Sequence, residues 1–369
     1  MGGMTWHHLQ YFIGLYKLGH DVYFLEDSGD TIYSCYDPVR NVTDTDATYG
    51  LNYAYEIFNS LGLVNKWCYF NKHKNLWEGP LSNSVMEKIR NADALINLSC
   101  SNPMREWFMK VPARILVDTD PVFTQIRNLT DKNRYELSNF HNSFFTFGEN
   151  FGKPDCGIPN DGFLWRPTRQ PVVLDLWKVS KELPSSNWTT VMQWDSYSPR
   201  EYNGISYGMK SHSFNEFKLL PELIPDENFE LAIGGEYAPV EELKLHGWKI
   251  VNSLIPAQTP ESYKKYIESS KGEWSIAKDG YIKGLSGWFS ERSVCYLASG
   301  KPVIVQDTGF SGILPIGRGL FAFTTIDDVK DAILTINNDY HYHCMQARKL
   351  VIEFFDSDNV LNNILKDVT

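Results

Sequence analysis

Ser286 to Phe310 reads SGWFSERSVCYLASGKPVIVQDTGF. Ser290 stands as an N-cap before an apolar run, with Glu291, Arg292 and Ser293 in the first turn. Gly300 ends that run, Pro302 prevents its continuation, and VIVQ reads as a buried parallel strand that stops at Asp307, Thr308 and Gly309. A helix N-terminus offers unpaired N–H groups and the positive end of the dipole, which favour phosphate. Ligands of open α/β sheets bind beyond the carboxyl ends of strands. The two places lie side by side and suit a diphosphate. The same pattern describes any helix–strand unit closed by glycine turns, so spacing by itself leaves both readings open.

The elements that must position this stretch alternate along the chain. TWHHLQYFIGLYKLGH carries Trp6, Leu9, Phe12, Ile13 and Tyr16 at helical spacing and ends at Gly19. DVYFLED, DALINLS, ARILVDTDP and NSFFTFGEN read as strands, with helices over TYGLNYAYEIFNSLGL and SNSVMEKIRNA between them. Such alternation predicts parallel sheets with helices on both faces. Gly157 to Thr189 holds four prolines and no helical period, and reads as a connection in which PVVLDLW is a strand candidate. Alternation resumes with WTTVMQWDS, NFELAIGG, WKIVNS, GEWSIAK and GLFAF as strands, and closes in helices from Ile326 to about Leu365. The expected organisation is two doubly wound Rossmann-like domains across a cleft: residues 1–160, a connection over 161–188, a second domain over 189–345, and helices over 346–369 that pack back on the first domain. One feature departs from the pattern. A Gly turn in such a domain follows a strand, yet Met-Gly-Gly-Met opens the chain, so the first strand is missing from this sequence.

Composition narrows the class. With 369 residues, 43% hydrophobic and 22% charged, the chain is an ordinary globular protein of two-domain size. Its 11 Trp suit cores as well as sugar-stacking pockets. A net charge of −10 and the absence of Lys/Arg runs argue against a nucleic-acid partner. The six cysteines are scattered, with no zinc spacing. No signal peptide and no apolar run of bilayer length appear, so a cytoplasmic location without an integral membrane segment is expected.

Ala298-Ser299-Gly300-Lys301-Pro302-Val303-Ile304, then Thr308-Gly309, then GRGLFAF, IDDVKDAILTINND and ARKLVIEFFD resemble the nucleotide-sugar domain of GT-B glycosyltransferases, over roughly the last 180 residues. The large retaining group of that superfamily carries two glutamates that hold the donor; these positions fall on Gly287 and Cys295, with Glu291 between them. The resemblance makes Lys210, at the head of MKSHSFNEFKLLPEL, a diphosphate-neutralising lysine, against a solvated loop lysine. It makes Gly234-Gly235 the strand end beside the nucleotide base, against a simple strand-exit turn, and Arg292 a second phosphate cation, against a helix-surface residue. Gly2 and Gly3 join the phosphate-binding set, with Ser290, Glu291, Ser293, Thr308 and Gly309.

In inverting members of the superfamily, a histidine in the first loop or helix deprotonates the acceptor. His7 or His8 fits that role here, because imidazole titrates near neutrality and a helix N-terminus keeps it neutral. Asp118 or Asp120 would orient it. The same pair also resembles the DxD metal motif of another fold. No metal and no bound cofactor are expected, because Lys210 and helix N-termini can offset the diphosphate.

The resemblance therefore implies a metal-independent glycosyltransferase using a UDP-, TDP- or GDP-sugar and a glycan, lipid or metabolite acceptor. A non-catalytic or nucleotide-sugar-binding relative, or an epimerase of the same architecture, are the alternatives. DNA-modifying transfer is disfavoured by the charge.

Overall fold

A computed structural model describes residues 1–179 and 185–366; part of the expected connection, 180–184, and the last three residues, 367–369, lie outside the described residues. The chain opens with helix α1 (Gly2–Lys17), whose Trp6, Leu9, Phe12 and Ile13 are buried. It stops where Gly19 turns the backbone to φ +92°. Strand β1 (Phe24–Asp27), helix α2 (Thr48–Ser60), strands β2 (Trp67–Asn71) and β3 (Leu76–Glu78), and helix α3 (Val85–Arg90) follow. Next come β4 (Ala94–Leu98), β5 (Ala113–Asp118), helix α4 (Phe123–Thr130), β6 (Ser143–Thr146) and β7 (Trp165–Pro167).

These strands form two sheets rather than one. β1 pairs with β2 in parallel, β3 closes that sheet antiparallel, and β4-β5-β6-β7 form an all-parallel sheet. The break falls between β1 and β4, where the doubly wound order places a strand leading into α1. PVVLDLW is not a strand. Its central residues form a 3₁₀ turn (Leu174–Leu176), and only Val172 bridges, to Asp356 near the C-terminus.

The second half is one sheet of six parallel strands: β8 (Asn187–Gln193), β9 (Asn228–Gly234), β10 (Lys249–Asn252), β11 (Gly272–Ser275), β12 (Val303–Gln306) and β13 (Leu320–Phe323). Their spatial order is β10-β9-β8-β11-β12-β13, so the chain reverses direction across the sheet between β8 and β11. Helices α5 (Lys210–Phe214), α6 (Pro260–Ser269), α7 (Asp279–Lys283) and α8 (Glu291–Ala298) connect these strands. A ribbon, Arg200–Tyr202 with Ile205–Tyr207, interrupts the β8–α5 connection.

Three helices end the described chain: α9 (Ile326–Asn338), α10 (Tyr340–Phe354) and α11 (Ser357–Lys366). α11 returns to α1, where a Cβ on Gly14 would lie 2.5 Å from Leu361. One apolar cluster runs from α1 and α2 through Trp177 to α8, β12 and α10, joining the two halves. A second, built on Trp188, Trp248 and Trp274, fills the C-terminal half. The abundant tryptophans are therefore largely core.

Candidate functional site

Between β8 and β11 the carboxyl ends of the strands open a crevice, the place where open α/β sheets bind ligands. The N-terminus of α8 enters it. Ser290 caps that helix, its Oγ accepting from Arg292 N at 3.2 Å. Ser293 one turn on is fully buried, and its Oγ has no partner. Ser275, Ala277, Ser290, Ser293 and Gln306 line a narrow recess there. Beside it, Asp307 shapes the strand-exit turn by accepting from Gly309 N at 2.8 Å, with Gly309 at φ +91°. Thr308 is tied inward, its Oγ1 donating to Trp288 O at 2.6 Å.

Lys210, first residue of α5, makes no hydrogen bond or ion pair among the described residues. Burial, reinforced by the positive charges of Arg292 and Lys278, drives its amine down to about 7. The nearby carboxylates of Glu291 and Glu273 counter this only in part, and a bound phosphate would favour the charged amine.

Arg292 does not serve as a free phosphate cation. Its Nε donates to Glu273 at 2.5 Å, Nη2 to Ser275 Oγ at 2.9 Å and Nη1 to Val191 O at 2.9 Å. Burial opposes its charge, and the Glu273 carboxylate more than offsets this, holding the pKa above its ordinary value. The guanidinium ties α8 to β8 and β11, with three of its N–H groups committed to protein acceptors, and adds field to the crevice. Gly234 ends β9, and Gly235 turns away at φ +115° beside Trp194.

Lys278 was not foreseen. It directly follows GEWSIA, so a cation at a strand exit beside the reversal point was the available signal. Its Nζ donates across the cleft to Asp120 Oδ1 at 2.8 Å and to Tyr197 OH at 2.9 Å. Asp120 also accepts from Tyr281 OH at 2.5 Å, Tyr197 OH at 2.5 Å and Arg127 Nη2 at 2.9 Å. Burial opposes the Asp120 charge, but Lys278 and Arg127 prevail and hold its carboxyl below the ordinary carboxylate value. Asp120 thus fastens the N-terminal half to the C-terminal half.

The expected histidine–aspartate dyad is not assembled. His7 is 4% exposed, both its ring nitrogens lack partners, and its ring meets Tyr11 and Phe147 edge-on. Burial, with His8 adding, pushes its pKa down to about 3. Asp118 is 1% exposed and fully engaged, accepting from Asp120 N, Thr124 Oγ1, Gln125 Nε2 and Thr146 Oγ1. It organises the β5–α4 turn and bonds to neither histidine. His8 is half-buried, its Nδ1 at 2.9 Å from Met4 O and its ring against Phe24.

Gly2 and Gly3 form no phosphate loop. Gly2 N donates to Ala257 O at 2.6 Å, and a Cβ at Gly2 would lie 2.2 Å from Thr259 O. Both glycines let α1 abut α6, and Gly3 lies against Tyr263.

The two departures from the retaining pattern have local causes. Gly287 sits at φ +72°, its N donating to Thr308 O at 2.8 Å, and a Cβ there would lie 2.9 Å from Asn150 N. Cys295 is buried in the cluster that joins the halves. Glu291 stays half-exposed on α8, close enough that its charge bears on Tyr11 and Tyr263.

No family model matches the sequence, and no curated protein matches it. Solved structures do match the fold. An alpha-glucosyltransferase in complex with UDP-glucose and DNA containing an abasic site superposes with a TM-score of 0.59 at 12% identity, covering 99% of this chain and 95% of that one. An alpha-glucosyltransferase with UDP and a 13-mer DNA containing a HMU base gives 0.57 at 13% identity, with the same coverage. Sucrose-phosphate synthase from Thermosynechococcus elongatus gives 0.52 at 12% identity, covering 97% and 92%.

This chain has the GT-B fold.

Two Rossmann-like halves face each other as GT-B requires, with the crevice of the C-terminal half opening toward the cleft. The exclusion of nucleic acid does not stand, since two of these GT-B structures hold DNA. Net charge is a sum over the whole surface, whereas binding answers to the local field within a Debye length of about 8–10 Å. Among the described residues, no helix of this GT-B chain is long and apolar enough to cross a membrane.

Proposed function

We propose that the chain is a glycosyltransferase that takes a hexose from a nucleoside-diphosphate sugar bound in the C-terminal crevice. The carrying observation is Lys210: an unpaired cation at the strand-order reversal, lowered to about 7 beside Arg292 and Lys278. The diphosphate lies against Lys210 and the α8 N-terminus, with the base toward Gly234-Gly235 and the turn at Thr308-Gly309 below the sugar. The acceptor hydroxyl oxygen bonds to the anomeric carbon, its proton passes to the departing diphosphate, and the bond from that carbon to the β-phosphate oxygen breaks. The diphosphate leaves with the electron pair. Lys210 and the helix N–H groups stabilise that developing charge, and no metal is required. Residues 1–160 present the acceptor and 189–345 hold the donor.

For the acceptor, the DNA-bound alpha-glucosyltransferases of the same fold favour a nucleobase hydroxyl. The non-catalytic reading retains one support, the burial of His7 away from Asp118. Thermal shift with UDP, TDP, GDP and ADP, with and without magnesium, tests the donor site. Transfer of labelled glucose from UDP-glucose to an HMU-containing duplex tests the acceptor. A shift with one nucleotide, lost in Lys210→Met and unchanged by magnesium, supports the proposal. No shift with any nucleotide sinks it, and a shift without transfer to any acceptor leaves the non-catalytic reading.

A further inference from the structure

A nucleoside diphosphate brings more than one negative charge into a partly desolvated crevice, and each charge needs a partner there. Arg292 cannot move to a phosphate without stranding the fully buried carboxylate of Glu273. Lys210 and the α8 N-terminus therefore meet the charge only in part. One further cation stands at the same place. Gly208 N donates to Asp279 Oδ2 at 2.8 Å, Gly280 N to Gly208 O at 3.1 Å and Asp279 N to Met209 O at 3.4 Å. These bonds stitch the turn that carries Lys210 to the turn that carries Lys278. Ala277, the residue before Lys278, lines the recess at the head of α8 with Ser290 and Ser293. The two ammonium groups are close enough for the Lys278 charge to bear on Lys210.

In the ligand-free chain Asp120 has more partners than its charge needs. Lys278 and Arg127 pair with this one carboxylate at 2.8 and 2.9 Å, and Tyr197 and Tyr281 each donate to it at 2.5 Å. Lys210, by contrast, makes no ion pair among the described residues. Transfer of Lys278 from Asp120 to a diphosphate leaves no charge alone: Arg127 balances Asp120, and Lys278 joins Lys210 at the phosphates. The Lys278 Nζ lies 4.5 Å from the ring centroid of Tyr197, 5.1 Å from that of Phe123 and 5.2 Å from that of Tyr281. Aromatic faces attract an ammonium whichever anion it meets. The backbone beside Asp120 is strained. Val122, fully buried and β-branched, sits at φ +74°, packed on Gly284, and the adjacent Leu285 sits at φ +40°. With the tie to Asp120 made, the recess at the head of α8 measures about 10 Å³, room for about one water, against the several hundred that a nucleotide-sized ligand fills.

We propose that Lys278 is a second diphosphate-binding cation of the donor site, held by Asp120 in the ligand-free chain and given up to the phosphates when the donor binds. Asp120 is then an internal competitor, a carboxylate of the N-terminal half that occupies a cation of the C-terminal half until the diphosphate displaces it. Donor binding loosens one tie between the halves, and by linkage that tie weakens donor binding by the same factor. The inference rests on the donor-site reading.

Calorimetric titration of the full chain with UDP and with inorganic pyrophosphate at pH 7 tests it. Lys278→Met is expected to weaken binding by at least ~10-fold. Asp120→Asn keeps the shape and removes the competing charge, and is expected to tighten binding by at least ~3-fold. In a Lys278→Met background the same Asp120→Asn change is expected to have no effect, because the two act through one contact. A merely structural ion pair has the opposite sign, since breaking it loosens the site. Should Asp120→Asn fail to fold, Tyr197→Phe takes its place. It removes the second acceptor of Lys278, keeps both ion pairs and is expected to tighten binding in the same direction. Undiminished binding in Lys278→Met, or equal or weaker binding in the Asp120 variant or its Tyr197 substitute, overturns the inference. If Lys210→Met still abolishes binding in that case, the donor site itself stands. Absence of binding by both probes in every protein overturns this inference together with the donor site.

Discussion

Lys210 should give donor binding a marked pH dependence. Burial, then Arg292, then Lys278 lower its amine from 10.5 to about 7 in the ligand-free protein. Above pH 7 that amine is increasingly neutral. A bound diphosphate restores its charge, so binding takes up a proton from solvent. Affinity then falls by nearly tenfold per pH unit, and from pH 7.5 to 9 the loss is roughly 20-fold, about 2 kcal/mol. Lys210→Met keeps the stem and removes the titration. It should bind UDP about 1.5–3 kcal/mol more weakly at pH 7 and show no such slope.

Stability moves with the opposite sense. The unfolded chain binds more protons than the folded one between about 7 and 10.5, so the ligand-free protein gains stability as pH rises through that window. Below pH 7 Lys210→Met should be the more stable protein. Calorimetry of UDP binding in two buffers of different ionisation enthalpy reads the proton uptake directly. A buffer-independent heat together with a pH-flat Kd in the unmodified chain would refute the reasoning.

Asp120→Ala strands Lys278 and Arg127 and should cost about 3–5 kcal/mol, read as a lowered urea midpoint. Because its folded pKa lies below the ordinary 3.8, the Asp120 contribution is present above 3.8 and disappears as pH falls through the folded value, visible as acid sensitivity that Asp120→Asn lacks. Gly287→Glu, which restores the acidic residue of the retaining pattern, should lower stability by about 1–3 kcal/mol and yield no transfer activity, since φ +72° and the Asn150 contact penalise any side chain. His7→Phe removes two buried ring nitrogens without partners and should be neutral or stabilising by thermal melt, while abolished transfer at full stability would mark His7 as the base. With its pKa held near 3, His7 also makes the chain lose stability as pH drops from 6.5 toward 3, a dependence that His7→Phe should flatten.

The C-terminal half was legible because its strands are short apolar runs separated by helical periods and punctuated by Gly and Pro. Local periodicity marks which face is buried, and in a parallel sheet that nearly fixes the architecture. Ser290 as N-cap, α8 ending before Gly300 and the turn at Gly309 all appear where the sequence placed them. The ribbon at Arg200–Tyr207 and strand β7 escaped notice, being three-residue pieces too short to show a period. PVVLDLW carried strand residues, but Val172 forms an isolated bridge beside Asp356, bonded to Phe355 and Ser357, and among the described residues no ladder extends it.

By itself the sequence determined the alternation, the helix caps and turns, and the residue types at the strand ends, because each of these depends on neighbours a few positions away. Tertiary structure alone decided which of those residues is free to act. Arg292 and Asp120 looked like site residues by type, yet one is committed to Glu273 and the other to Lys278, a partner 158 positions along the chain. His7 heads an apolar helix face, and only the tertiary structure shows it buried against Tyr11 and Phe147 with no partner for either ring nitrogen. Lys210 emerged as the unpaired cation for the same reason. A charge has its role set by what the folded chain brings within a few ångströms of it, and local sequence spacing carries no record of that.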